Sequence, residues 1–200
     1  MSGEPAAARS AELSRKTAET EVDVVIRLDG DGIAEVDSGL GFLDHMLGTF
    51  AKHSGIDIRL RATGDVEVDD HHTVEDCAIG LGRALDDALG DRSGMARFGS
   101  AYAPLDESLA RAVVDLSGRP WPEIALSFDR EKIGDVSTEN IVHFFRSLAM
   151  EGRMALHVDL IRGDNDHHKA ESAFKALALA LRMAVESRGS GVPSTKGNLR

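Results

Sequence analysis

The sequence predicts an α+β fold made by internal duplication, in which each half is a sheet with helices packed on one of its faces. Three observations point there. The order strand, strand, helix, strand, helix can be read twice along the 200 residues. Asp70-His71-His72-Thr73-Val74-Glu75-Asp76 in the first half is echoed by Asp166-His167-His168-Lys169-Ala170-Glu171-Ser172 in the second. The hydrophobic content is 42%, enough for a core, yet Phe, Trp and Tyr number only 7, 1 and 1, so Ala, Leu, Val and Ile must fill most of it. Elements with one apolar face each must bury it against a partner layer, which gives a sheet-plus-helices unit.

Residues 1–13 read as a loose tail, polar and Ala-rich. Within a first repeat over 14–94, Val22, Val24, Ile26 and Leu28 alternate with mostly polar residues, the period of a half-buried strand. Asp29-Gly30-Asp31-Gly32 is a turn, and Ile33 to Asp37 is expected to return as the second arm of a hairpin. Leu43 to His53 reads as a short helix ended by Ser54-Gly55, and Ile56, Ile58, Leu60 and Ala62 alternate as another strand. Val74, Cys77, Ala78, Leu81, Ala84, Leu85 and Ala88 recur at helical spacing, so a helix runs from His71 to Leu89.

A second repeat over 95–186 follows the same plan. Leu109 to Leu116 is a strand, Ser117-Gly118-Arg119-Pro120 a turn, and Glu123 to Phe128 a second arm. Glu139 to Glu151 is helical, Leu156, Val158 and Leu160 mark a strand, and Ala170, Ala173, Phe174, Leu177, Leu181 and Val185 mark a long helix. The segment 121–136 carries no motif, and 187–200, rich in Gly, Ser and Lys, is expected to be a mobile tail.

Composition narrows the function. Lys and Arg total 23 against 34 Asp and Glu, a formal charge of −11, which disfavours a general nucleic-acid binder because phosphate contacts need a basic surface. The single Cys leaves no intramolecular disulfide and suits a reducing compartment. Met1 to Ser10 lacks an apolar signal core, and the most apolar stretch, Ala173 to Val185, is interrupted by Lys175 and Arg182, short of the ~20 residues of a membrane span. The expectation is a cytoplasmic protein with no membrane partner. The unusual count is eight His.

Six of those His fall into the duplicated pattern. His45 lies 26 residues before His71, and His143 lies 24 before His167. On a helix, residues four apart share a face while neighbours point about 100° apart. His71 can therefore share a metal with Glu75, and His167 with Glu171, while His72 and His168 point elsewhere. If the halves face each other about a pseudo-two-fold axis, one ion takes His45, His72, His167 and Glu171, and the other takes His71, Glu75, His143 and His168. Spacing leaves open an exchange of the two lone His between the sets. Three His and one Glu would close a tetrahedral zinc site but leave two positions on a six-coordinate ion such as Mn²⁺. With a local formal charge of +1, such a site would favour an anionic azole or an alkoxide. A lone His pair on a helix is an ordinary surface or capping feature; two in register, each with a Glu and an upstream His, are not.

The remaining candidates are ambiguous from spacing. His53 can be a cation at a helix end or a site residue. His157, between Leu156 and Val158, reads as structural, and Cys77, on an apolar helix face, as core. Arg97, Arg119 and Lys196 sit in or beside Gly/Ser/Pro-rich loops that suit phosphate recognition, although each taken alone reads as an ordinary surface charge. Glu19 reads as an ordinary surface carboxylate.

Phe42-Leu43-Asp44-His45-Met46-Leu47, the two His-His-x-x-Glu motifs, Asp115-Leu116-Ser117-Gly118-Arg119-Pro120 and Pro193-Ser194-Thr195-Lys196-Gly197 together resemble the imidazoleglycerol-phosphate dehydratase family, from about Arg15 to Lys196. The resemblance implies a duplicated fold similar to the second domain of ribosomal protein S5. It also implies two Mn²⁺ per active site and assembly of trimeric units into a 24-subunit shell whose sites take ligands from neighbouring subunits. It implies Glu19 as the base, from an Arg-x-Thr-x-Glu-Thr motif, and Arg97, Arg119, Lys175, Ser194, Thr195 and Lys196, with His53, as substrate or phosphate contacts. The implied reaction is dehydration of D-erythro-imidazole glycerol phosphate to imidazole acetol phosphate in histidine biosynthesis, through a metal-bound imidazolate and a diazafulvene-like intermediate. Two other readings compete: a dimetal phosphate-ester hydrolase, for which bridging Asp carboxylates are usual, and a non-catalytic shell assembled by metal.

Overall fold

The structure is a computed structural model, and it describes residues 9–194, 197 and 199. Its first half runs β1 (Ser10–Lys16), β2 (Thr20–Arg27), β3 (Ala34–Asp37), α1 (Gly41–Ser54), β4 (Asp57–Gly64) and α2 (His71–Leu89). The second runs β5 (Phe98–Leu105), β6 (Ser108–Asp115), β7 (Trp121–Ala125), a small hairpin of β8 (Lys132–Ile133) and β9 (Val136–Ser137), α3 (Thr138–Glu151), β10 (Ala155–Arg162) and α4 (Asp166–Val185). The sheet orders are β1-β2-β4-β3 and β5-β6-β10-β7, the same topology twice, which bears out the duplication.

Alternation explains the sheets. In β2 the residues Val22, Val24 and Ile26 are buried and Glu21, Asp23 and Arg27 exposed. In β10 Leu156 and Val158 turn inward while His157 turns out. α2 lies on β1 and β2, and α4 on β5 and β6. The halves meet helix to helix: α1 packs on α4, and α2 on α3. The scarce aromatics concentrate in the second half, where Phe144, Phe145 and Phe174 stack with ring centroids 4.7 to 6.0 Å apart, in the range of favourable tilted and edge contacts.

Four expectations are corrected and one strand is added. Residues 10–13 are not tail but the start of β1, paired antiparallel with β2 from Ser10↔Arg27 to Lys16↔Glu21. Only Ala11 and Leu13 give this edge strand an apolar side, so backbone pairing rather than hydrophobic pattern forms it. Residues 33–37 do not fold back on β2, because β3 runs parallel to β4, which lies between them. The Asp57 carboxylate fixes the detour by accepting N–H bonds from Asp31 (2.8 Å) and Ile33 (2.9 Å). Likewise β7 begins at Trp121 and runs parallel to β10 instead of forming an antiparallel arm over 123–128. β5 was not anticipated, since its inward residues are small: Gly99, Ala101 and Ala103. They are small because α4 passes close by; a Cβ on Gly99 would overlap the carbonyl oxygen of Ala180. Finally, the start of the expected C-terminal tail is tied down, with Arg188 N–H bonding Gly94 O (2.7 Å) and Gly94 N–H bonding Gly191 O (2.7 Å).

The motif-free segment acquires a role here. Asp135 accepts the N–H groups of Gly41 (2.6 Å) and Phe42 (3.0 Å) at the start of α1. Ser137 donates to Asp70, ahead of α2, through its N–H and its hydroxyl, both at 2.7 Å. The N–H groups of Asp129 (2.9 Å) and Arg130 (2.7 Å) donate to Asp166, the first residue of α4. One loop of the second half thus holds the N-terminal ends of the three helices that carry His45, His71 and His167.

Candidate metal centre

Each helix pair formed across the halves carries one cluster. Where α1 meets α4, Nε2 of His45 and Nε2 of His167 both lie 3.1 Å from Oε2 of Glu171. Where α2 meets α3, Nε2 of His143 lies 2.8 Å from Oε1 of Glu75, and Nε2 of His71 lies 4.0 Å from its Oε2. In both groups the three ligand atoms fall within 4.8 Å of one another. First-row divalent ions bind His nitrogen and carboxylate oxygen at about 2.0–2.2 Å, so ligand atoms at this spacing can surround one ion. The donor set, two imidazoles and one carboxylate, suits Mn²⁺, Fe²⁺ or Zn²⁺ chemically. The i,i+4 geometry expected for His71 with Glu75 and His167 with Glu171 is present, and each upstream His joins the pair from the opposite half.

His72 and His168 do not enter these clusters within the chain, so the two four-ligand sets expected of one chain are not assembled by it. The reason is the one that separates them from their neighbours: one residue along a helix turns the side chain away. Nδ1 of His72 meets the Asp65 carboxylate at 3.1 and 3.2 Å, and Nδ1 of His168 meets Glu107 at 2.8 Å. These bonds raise the pKa of both rings. They also leave each Nε2 as the second ring nitrogen, the arrangement by which a carboxylate orients a metal-binding His. Asp65 and Glu107 escaped the sequence reading. Glu107 is 61 residues from its His, and Asp65, though only seven away, lies outside the helix.

The other candidates divide. Glu19 sits in the turn between β1 and β2, exposed, with Oε2 3.7 Å from Nε2 of His72. Lys175 does not stand free: its Nζ lies 2.7 Å from Oε1 of Glu171, with the two side chains 18% and 13% exposed. Burial opposes ionisation of Glu171, but Lys175, then His45 and His167, outweigh it and hold the carboxyl below its ordinary range. His53 is pushed down, by burial first and then by the Lys175 charge. Arg97 forks onto Asp115 (2.7 and 3.0 Å) and donates to the Pro193 carbonyl (2.9 Å). Arg119 is exposed, with no side-chain partner among the described residues. Ser194 closes a short turn through its N–H to Val192 O (2.8 Å). Thr195 and Lys196 lie outside the described residues. His157 faces outward on β10 and Cys77 is fully buried.

A duplicated α+β scaffold with one two-His, one-Glu group on each cross-half helix pair defines a protein with two groups of residues that could each hold a metal ion. Comparison narrows the class. The family model of imidazoleglycerol-phosphate dehydratase matches residues 38–181. The dehydratase of Salinibacter ruber is 57% identical over 193 residues, covering 96% of each chain. That of Kluyveromyces lactis is 52% identical over 200 residues, covering all of this chain and 89% of its own. The crystal structure of the Staphylococcus aureus enzyme superposes with a TM-score of 0.81 at 38% identity, covering 89% of this chain and 99% of that one. The chain belongs to the imidazoleglycerol-phosphate dehydratase family, whose members are hydro-lyases.

Proposed function

We propose that this chain dehydrates D-erythro-imidazole glycerol phosphate to imidazole acetol phosphate in histidine biosynthesis, in the cytoplasm, with two Mn²⁺ per active site. The observation that carries the reading is the pair of convergent groups, His45/His167/Glu171 and His71/Glu75/His143. Two such groups match a substrate whose ring offers two nitrogens. No Asp joins either group among the described residues, which leaves the bridging carboxylates of a dimetal phosphate-ester hydrolase without a counterpart.

The proton to be lost lies on a carbon with a hydroxyl and no adjacent carbonyl, so direct abstraction is disfavoured. When bound, the two metal ions supply charge that stabilises the azole ring as its anion. With its charge so stabilised, the ring would release the hydroxyl of its neighbouring carbon as hydroxide, which takes up a proton and leaves as water, and the adjacent C–H would become acidic through the diazafulvene-like form of the substrate. Glu19 removes that proton, and the resulting enol tautomerises to the ketone. Glu75 and Glu171 are unsuited to this task because their oxygens face the metal groups. Glu19 stands apart from both groups yet reaches His72, and its exposed carboxylate is open to incoming substrate.

Among the described residues, Arg119 is a basic candidate available to the substrate phosphate. Arg97 acts at one remove: its guanidinium holds the Pro193 carbonyl, next to Ser194. Lys175 neutralises Glu171 and puts a cation beside His53. His72 and His168, each oriented by a carboxylate and excluded from its own chain's clusters, complete the sets by meeting the clusters of a second copy. That requirement supports a homo-oligomer, trimers joined into a 24-subunit shell.

Incubation of the purified protein with Mn²⁺ and imidazole glycerol phosphate should yield the enolisable ketone. Absence of product across pH 7–9 refutes the activity. Glu19→Gln should bind metal and substrate but turn over at least ~100-fold more slowly; near-normal turnover removes Glu19 from the role.

A further inference from the structure

The two metal groups are not equivalent behind their ligands. Nδ1 of His71 lies 2.8 Å from Oδ1 of Asn140, the third residue of α3. Asn140 is 2% exposed, and its Nδ2 lies 2.9 Å from Oδ2 of Asp70. A carboxylate only accepts, so the amide nitrogen must face Asp70 and the amide oxygen must face His71. Ser137 donates to the same carboxylate through its N–H and its hydroxyl, both at 2.7 Å, so Asp70 acts as an acceptor throughout. An amide oxygen also only accepts, so Nδ1 of His71 carries the proton and Nε2 keeps the lone pair that faces Glu75. In the other group, no hydrogen-bond partner meets Nδ1 of His167 among the described residues; its ring stands edge-on to Phe42, with centroids 5.3 Å apart.

We propose that Asn140 is a positioning residue that locks His71 in the Nδ1–H tautomer, making the His71/Glu75/His143 group the preorganised, tighter metal site of the two. The proposal rests on the metal reading above and deepens it. A free imidazole favours its Nε2–H form, which has no lone pair at the nitrogen facing Glu75. Without Asn140, metal must first drive His71 out of that form. Partners that fix a ligating His in this way typically account for 10- to 100-fold in metal affinity.

The test has two arms on the full-length protein. In the metal-free protein with its imidazoles neutral, solid-state ¹⁵N spectra of labelled histidine, assigned through His71→Gln, should show His71 as Nδ1–H. Asn140→Ala and Asn140→Ser should move it toward Nε2–H while the other ring signals hold, which a general loss of stability would not do. Calorimetric titration with Mn²⁺ should resolve two affinity classes, and both variants should weaken the tighter one by ~10- to 100-fold and leave the other within twofold. An unchanged tautomer, or equal weakening of both classes, overturns the proposal. A wild-type protein that binds no Mn²⁺ refutes the metal reading and the affinity claim together, whereas two intact classes in the Asn140 variants refute only the positioning role.

Discussion

Nε2 of His143 and Oε1 of Glu75 approach to 2.8 Å although 68 residues separate them. The contact joins α3 of the second half to α2 of the first, so one metal group depends on how the halves dock. Glu75→Ala should therefore abolish one Mn²⁺ class and spare the other, and Glu171→Ala should do the reverse. Metal analysis after gel filtration reads this as half the wild-type content for either variant and none for the double variant. His157→Ala, on the outer face of β10, should retain full content; retention by Glu75→Ala would show that Glu75 holds no ion.

Acid should act on the β3 detour. Burial opposes the charge of Asp57, but the N–H groups of Ile33 and Asp31 and the Arg27 guanidinium outweigh it and hold its pKa below 3.8. A carboxyl lowered by folding stabilises the native state above its unfolded pKa, and loses that contribution as pH falls through the folded value. Asp57→Asn should cost about 1 kcal/mol at pH 7. Urea midpoints of the two proteins should converge as the pH is taken well below 3.8, and a gap that stays constant with pH would argue against the charge.

Arg97 should control the chain end. Its fork on Asp115 leaves one arm for the Pro193 carbonyl, a geometry that the point charge of Lys does not reproduce. Arg97→Lys should speed amide exchange at Gly94 and Arg188 at least ~10-fold, since bonds at the low-stability end of a structure open locally. Exchange in α2 should not change. Equal acceleration throughout would mean global destabilisation instead.

Cys77 should be silent to thiol reagents in the native protein. It is 0% exposed, and burial pushes its thiol pKa up, so both access and thiolate are suppressed. Reaction with a disulfide reagent should begin only as denaturant unfolds the chain, following loss of helical signal. A fast native reaction would place Cys77 at a surface.

The helices were readable because three or more apolar residues recur on one face, as in Val74, Cys77, Ala78 and Leu81. Their His and Glu then sit at positions that the helical period dictates. The edge strands were not. β1 offers only Ala11 and Leu13, and β5 hides behind small residues chosen by the close passage of α4. Parallel pairing of β3 and β7 was equally hidden, since alternation tells which face is buried but not which neighbour pairs. At the site, the ligands inside one helix turn were legible, and the duplication exposed the lone His. Asp65, Glu107 and Asn140 were not: they act through contacts across the fold, and as single polar residues they carry no local pattern. The 129–137 segment works partly through backbone N–H groups that any sequence could supply and partly through the single side chains of Asp135 and Ser137, which carry no local pattern either.

Each metal group draws two ligands from one half and one from the other. A chain divided between Gly94 and Met95 would leave every cluster incomplete, and a bimolecular encounter would have to precede any capture of metal. Fusing the halves replaces that encounter with a fixed local concentration, in the millimolar range for short connections. Assembly of each three-residue group is thereby made independent of how dilute the protein is.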